Sequence, residues 1–399
     1  MSKSLLIYPY SSETSDILRN KSFRERYEVI HLCAFPGSGL ERKDAGDVDR
    51  GGHIGIMVEE DYDIAIKDIT DVLFSDYQNV KVKKEDIFEK IDKAYNLSKN
   101  VIMSKQLRKQ YSNWKKEDVE EEYPILRWLK AIDKEKVEKL NGLGEMFDYK
   151  KLVFNEGIVE ISTPLVGVVG TAQHTGKFHI QLQMVTELRR IGYKVSWIGS
   201  NWLCELFGGH EIPSFMTETN YNETEKILLL NRYVKYIETH EQPDIMIMGV
   251  PGGIMPCSKN ITGDFGMLAY EMCQAAIPDL MILSVFFDEY QSNFFEEIKN
   301  CIKYRYSTKL SIVSICNRRI DWDEVKVINR NIVPYFTVGS HLVDTLIEKN
   351  KSQTNIELIN LRNSADMNSI SQNIIEELED DHECIILGNC ETRDARSQT

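Results

Sequence analysis

The chain lacks several features that would assign its class directly. No run approaches 18 consecutive apolar residues, which argues against a membrane-spanning helix. The apolar stretch in the amino-terminal MSKSLLIYPYSSE is too short for the core of a secretory signal, so a cytoplasmic protein is expected. Basic charge is in deficit: 48 Lys and Arg stand against 62 Asp and Glu, a net charge of −14. That balance argues against nucleic acid or an anionic membrane as partner, because both require clustered cations. The eight cysteines, Cys33, Cys204, Cys257, Cys273, Cys301, Cys316, Cys384 and Cys390, contain no CxxC pair. Most sit in apolar segments and read as reduced core thiols, with no metal site expected. Internal repeats and low-complexity tracts are absent as well.

What is present describes a globular protein. Hydrophobic residues make up 42% and charged residues 28% of 399 positions, enough chain for two domains. The fold class expected is α/β, with a Rossmann-like amino-terminal domain followed by a P-loop NTPase-like domain built on a parallel sheet. In residues 1–103, the strand candidates KSLLIYPYS, EVIHLCAF and TDVLFSD alternate with helical ETSDILRNKSFRERY and KEDIFEKIDKAYNLSKNVIMSK. Between them lies PGSGLERKDAGDVDRGGHIGIMVEED, where Gly37 and Gly39 follow a strand without a third glycine three positions on. This is not a dinucleotide fingerprint, and it reads as a mobile loop at the carboxyl edge of the sheet.

Residues 104–150 read as a charged helical linker with i,i+4 pairs and little apolar surface. From 151 to 350, PLVGVVG, YKVSWIGS, PDIMIMGV, PDLMILSVFF, KLSIVSICN and NIVPYFTVG are near-continuous apolar runs, as parallel strands buried on both faces require. Residues 351–399 form a third, smaller segment with strand candidates IELINL and ECIILGN, a helix SISQNIIEELEDD and a disordered tail. It closes the second sheet or returns to the first.

The most informative stretch is VVGTAQHTGKFHI, residues 168–180. A strand delivers the chain to Gly170, five residues follow, and Gly176-Lys177 open a helix with Ile180, Met184, Leu188 and Ile191 on one face and Gly192 as its stop. Loop amides, the helix N-terminus and a lysine together suit a phosphate. Gly170, Thr171, Thr175, Gly176 and Lys177 are therefore the expected cofactor-binding residues.

Catalytic equipment is thinner. Magnesium in such sites is held by a hydroxyl after the lysine and a carboxylate at a neighbouring strand end. Here Phe178, His179 and Ile180 follow the lysine, and PDIMIMGVPGG ends without an acid. Thr171 and Thr175 are the substitute hydroxyls. His174 and His179 are candidates to donate to phosphate, or to act as acid or base if they titrate near neutrality. The diglycine Gly252-Gly253 lets a backbone approach a ligand closely or simply turns the chain. Asn317, just past a strand, can read a purine edge, with Arg318 and Arg319 near the same surface. Asp288 and Glu289 are the best acidic pair, as metal ligands, as a base or as a helix cap.

These residues resemble known families. GTAQHTGK has the loop spacing of dethiobiotin-synthetase-like proteins, and SICNRRID is similar to their base-binding segment. The order of the two domains is similar to the D-glutamate N-acetyltransferase family. LLIYPYSSE, GTAQHTGKFHIQLQ and PGGIMP with FGMLAYE resemble a clostridial peptide maturation system protein family, which accompanies ribosomally made, modified peptides. The resemblance implies phosphate binding through Gly170, Gly176 and Lys177 and base binding through Asn317. It departs at Phe178 and His179, where the acetyltransferases carry threonines, and at Gly249 and Val250, where they carry Glu-Gly. The function expected is a nucleotide- or phosphate-cofactor-binding protein that uses ATP or an acyl-CoA such as acetyl-CoA to modify a peptide. A non-catalytic scaffold presenting the precursor peptide to other maturation enzymes is the alternative. Expected partners are the precursor peptide and other maturation proteins, and self-association as a homo-oligomer is left open.

Overall fold

Short β-branched and leucine-rich segments, each buried along its length, build two parallel sheets. A computed structural model describes residues 3–76, 83–116, 157–327 and 333–379. The chain divides into two units, Met1–Glu122 and Tyr123–Thr399.

In the first unit, β1 (Ser4–Tyr8), β2 (Val29–Cys33), β3 (Val58–Glu59), β4 (Asp71–Phe74) and β5 (Asn100–Ile102) pair in the order β3-β2-β1-β4-β5. Every pairing is parallel. The fifth strand is a difference from the sequence reading, which runs a helix through 84–105. The helix stops at Asn96, and Ser98 adopts a left-handed φ of 54° before Asn100–Ile102 joins the sheet edge beside β4. Periodicity alone does not distinguish so short a strand from a helix end. The next helix, Lys105–Lys115, buries Leu107 and Tyr111 in the first unit's core. That part of the expected linker is thus an element of the first unit, and residues 117–150 lie outside the described ones.

The Gly- and Asp-rich loop, read from sequence as mobile, is tied around two carboxylates. Asp44 accepts from the amides of Gly46, Ile54 and Gly55 at 2.7–2.8 Å. Asp49, whose side chain is fully buried, receives Arg19 Nε at 2.9 Å.

The second unit holds β6 (Leu165–Gly170), β7 (Val195–Gly199), β8 (His210–Glu211), β9 (Ile245–Gly249), β10 (Leu280–Val285), β11 (Lys309–Ile315), the antiparallel hairpin β12 (Arg318–Ile320) and β13 (Tyr335–Thr337), and β14 (Glu357–Asn360). Seven strands form one parallel sheet in the order β14-β11-β10-β6-β9-β7-β8, with β6 central. This is the α/β, P-loop NTPase-like sheet expected. Two details differ. NIVPYFTVG supplies one arm of the small hairpin instead of a sheet strand, because only Tyr335–Thr337 pairs, and it pairs with Arg318–Ile320. IELINL closes the second sheet as β14, beside β11. The strand candidate ECIILGN and the tail lie outside the described residues.

The helix after β6, Lys177–Arg190, buries Ile180, Met184 and Leu188 as its spacing requires. It ends one residue before Ile191, which is left exposed, and Gly192 follows at a φ of 107°. Cys33, Cys204, Cys273 and Cys316 are buried in apolar surroundings. No helix among the described residues is long and apolar enough to cross a membrane.

The Arg19–Asp49 pair gives a test of how the first unit is held. Asp49→Ala strands a guanidinium that is largely buried, and should cost about 3–5 kcal/mol in urea unfolding. A loss below about 1 kcal/mol would show that the loop does not depend on the pair.

Candidate phosphate-binding site

β6 ends at Gly170, and residues 171–176 lead into the helix beginning at Lys177. Gly176 turns the chain with φ +88°, a conformation that costs glycine little, and His174 sits at φ +62°. A Cβ on Gly170 would lie 2.4 Å from Thr175 Oγ1 and 3.1 Å from Lys177 Nζ. Glycine at this strand end is what lets the loop and the lysine fold back over it.

The loop is bracketed from both neighbouring strands. On one side, Ser284 of β10 stands in register with Gly170, accepts from Thr171 N at 3.0 Å and donates its hydroxyl to Thr175 O at 2.5 Å. On the other, the segment after β9 runs along the loop. Ile254 N donates to Gly170 O at 2.9 Å, and Cys257 Sγ donates to Thr171 O at 3.2 Å. A Cβ on Gly253 would lie 2.5 Å from Thr171 O. The diglycine does permit a close backbone approach, and the backbone it approaches is that of the loop itself. Leu361, after β14, fills the space a Gly176 side chain would need, at 2.2 Å from the ideal Cβ.

Lys177 is the central charge. Its ammonium is buried and donates to Ala172 O and Gly252 O, both at 2.7 Å. No carboxylate pairs with it among the described residues. Burial brings its pKa from 10.5 down to about 7; Cys316 and Cys257 oppose the shift, and Arg318 adds the smallest effect, downward. The main-chain N–H groups of Ala172, Gln173, Thr175, Gly176, Lys177 and Phe178 make no hydrogen bond among the described residues. A buried cation at a helix N-terminus, surrounded by unused donors, is an anion site by its electrostatics.

Arg318 extends the positive charge. It is buried, donates through Nη1 to His174 O at 2.7 Å, and its guanidinium lies 5.0 Å from the centre of the Tyr335 ring. The His174 ring is 5.3 Å from the same tyrosine. Burial, then Arg318 and Lys177, bring its pKa to about 4, so its imidazole is neutral at physiological pH. The acid–base role that requires titration near neutrality is therefore not available to His174. His179, in the first turn of the helix, is buried.

The remaining candidates scatter around this edge. Thr175 is buried, its hydroxyl directed to Ala172 O at 3.4 Å, and Thr171 lines a small recess with Met255, Cys257 and Asp264. Asn317 is 1% exposed and donates to Val338 O at 3.2 Å, joining β11's end to the hairpin's exit. Asp288 accepts from its neighbour Glu289 N at 2.9 Å and faces Trp322 Nε1 at 3.5 Å and Arg319 at 3.9 Å. Glu289 is exposed. Neither caps the following helix, whose N-cap is Asn293. No group of three His, Cys, Asp or Glu suited to a metal occurs among the described residues. Ser284, Cys257 and Leu361 were not legible as site residues, because each arrives from another strand and none carries a local motif.

No protein-family model matches the chain, and no curated protein matches it. Among solved structures, a DUF1611 family protein from Anabaena variabilis aligns over 94% of this chain and 99% of its own, at 9% identity and a TM-score of 0.56. A cobyrinic acid a,c-diamide synthase from Mycobacterium smegmatis, with bound ADP and magnesium, aligns over 57% of this chain and 100% of its own at 9% identity and TM-score 0.35. The MinD cell division protein of Aquifex aeolicus aligns over 56% and 100%, at 14% identity and TM-score 0.30. The likeness to the Anabaena protein is one of fold.

Gly253→Ala tests the bracketing. The added methyl must displace the Thr171 carbonyl, and strain of about 1–3 kcal/mol should appear as a lowered thermal midpoint. An unchanged midpoint would show that the diglycine is only a turn.

Proposed function

We propose that the second unit binds a phosphate-bearing cofactor at residues 170–178, and that the protein uses it in the maturation of a ribosomally synthesised peptide. The observation that carries the binding is Lys177, a buried ammonium held by two carbonyls beside main-chain donors with no acceptor. A phosphate oxygen supplies the anion that this arrangement lacks. ATP and an acyl-CoA such as acetyl-CoA are the cofactors that fit the reading. The peptide as acceptor and other maturation proteins as partners rest on the resemblance of the loop and the PGGIMP segment to the clostridial maturation proteins, and a cytoplasmic setting rests on the short apolar stretch of the amino-terminal segment.

Two roles divide on the chemistry at the edge. As an enzyme, the protein would transfer a phosphoryl or acyl group to the peptide, with Asp288 and Glu289 as the acids that follow the carboxyl end of β10. As a scaffold, it would bind the cofactor without turnover and present the peptide to other enzymes. The neutral His174 and the engagement of Asp288 with Arg319 and Trp322 favour the scaffold.

Calorimetric titration with ATP, ADP, pyrophosphate and acetyl-CoA tests the binding. At least one should bind, and Lys177→Ala should weaken it by about 100-fold or more, the effect of losing a charge-assisted contact. Binding that survives the substitution refutes the assignment. Binding also has a proton signature. An anion beside Lys177 raises its pKa from about 7 back toward 10.5, so the complex holds more protons than the free protein between those values. Titrations at pH 8 in buffers of different ionisation enthalpy should show net proton uptake, fading below pH 7. Proton release at pH 8 would contradict contact between phosphate and the ammonium.

A further inference from the structure

The segment after β9 does more than brace the loop. Gly263, Asp264, Phe265 and Gly266 follow one another with φ of 52°, 48°, 55° and 72°, all in the left-handed region. Glycine enters that region freely, whereas Asp264 and Phe265 carry a Cβ that crowds the following carbonyl there. The turn is held from outside. Arg305 donates to Phe265 O at 3.3 Å and to Ile254 O at 3.2 Å, and a Cβ on Gly266 would lie 2.2 Å from that same Ile254 oxygen. Backbone strain over-determined by its surroundings concentrates where a side chain is presented to a ligand. The side chain presented here is Asp264.

Asp264 borders a recess of about 30 Å³ beside the loop, with room for roughly two heavy atoms. Ala172, Met255, Ile261 and Val333 give it apolar walls, and Asp264 is the one charged residue of its lining. Burial pushes the Cys257 thiol up to about 11, so it stays neutral, and its Sγ is directed to Thr171 O. The Thr171 hydroxyl, the Gln173 amide and the Asp264 carboxylate also line the recess, and none of them makes a hydrogen bond or ion pair among the described residues.

Acceptor oxygens on three side chains, one of them anionic, suit the donors of a primary ammonium, and the apolar walls suit its alkyl stem. A planar guanidinium is too large for the space. A magnesium ion keeps several waters that need partners, and the apolar walls offer none.

We infer that the recess receives a primary alkylammonium, a lysine side chain of the peptide acceptor, with Asp264 as its counter-charge beside the bound phosphate. The inference rests on the phosphate-binding reading and deepens it by naming the acceptor's chemistry. Thr171 and Ala172 belong both to the recess and to the loop, so a phosphate on the loop adds its attraction to that of Asp264. Without the phosphate, the buried Lys177 opposes the same cation.

The test uses the full chain and titrates Nα-acetyl-lysine amide by ligand-observed NMR, with Nα-acetyl-norleucine amide as the analogue that lacks the ammonium. With pyrophosphate at saturation, the lysine compound should bind about tenfold or more tightly than the norleucine compound, and Asp264→Asn should remove the preference. Asparagine tolerates the left-handed backbone, so this substitution takes away charge and keeps the turn. Pyrophosphate should bind the variant as well as it binds the wild-type chain, or better, because a nearby negative charge is gone. Lysine binding should weaken when pyrophosphate is left out, a coupling that a carboxylate remote from the loop would not show. Equal affinity for the two amides, a preference that survives in Asp264→Asn, or affinity indifferent to pyrophosphate would each overturn the inference while leaving the phosphate site standing. Failure of pyrophosphate to bind the wild-type chain would remove the phosphate reading and this inference with it.

Discussion

A lysine ammonium buried at the start of a helix and held by two carbonyl oxygens is the constraint on which the loop of the second unit depends. Burial disfavours its charge, and two hydrogen bonds at 2.7 Å compensate only in part, which is why its pKa falls to about 7. Such a group is costly unless an anion completes its surroundings. The loop around it also leaves six main-chain donors without a hydrogen bond among the described residues, where polar groups normally find partners.

That arrangement persists because three separate pieces of backbone pin the loop. β10 contributes Ser284, the segment after β9 contributes Gly252 to Ile254, and the entry to the β12–β13 hairpin contributes Arg318. Each meets the loop at a carbonyl or an amide, so the loop's conformation is set by contacts along much of its length. Glycine appears where contact is closest. Gly170 and Gly253 occupy points at which a methyl group would stand about 2.5 Å from an oxygen of the loop. Phe178 and Gln181 complete the picture from the helix side: Phe178 stacks on Trp197, and the Gln181 amide is hydrogen-bonded to Trp197 and Ser200.

The sequence carried much of this locally. Five strands of the second unit's sheet, β6, β7, β9, β10 and β11, were readable as apolar runs, because a parallel strand covered on both faces must be apolar throughout. The loop was readable because its strand, glycine turn, lysine and helix are contiguous. Failures came where partners were distant. Asn100–Ile102 is a strand only because β4 lies beside it, and Tyr335–Thr337 leaves the main sheet because Arg318–Ile320 offers it an antiparallel partner. The glycine-rich loop at 36–61 looked free until Asp44 and Asp49 were placed inside it. Asn317 looked like a base reader, and in this structure its amide ties the chain to Val338.

By itself, the sequence determined the α/β class, the two-part organisation and the phosphate loop's position, since all three depend on order and periodicity along the chain. Tertiary structure alone decided which histidine is neutral and which arginine reaches the loop. Those depend on burial and on distances between residues as far apart as His174 and Arg318, and pairwise electrostatics of that kind leaves no periodic trace in the primary structure.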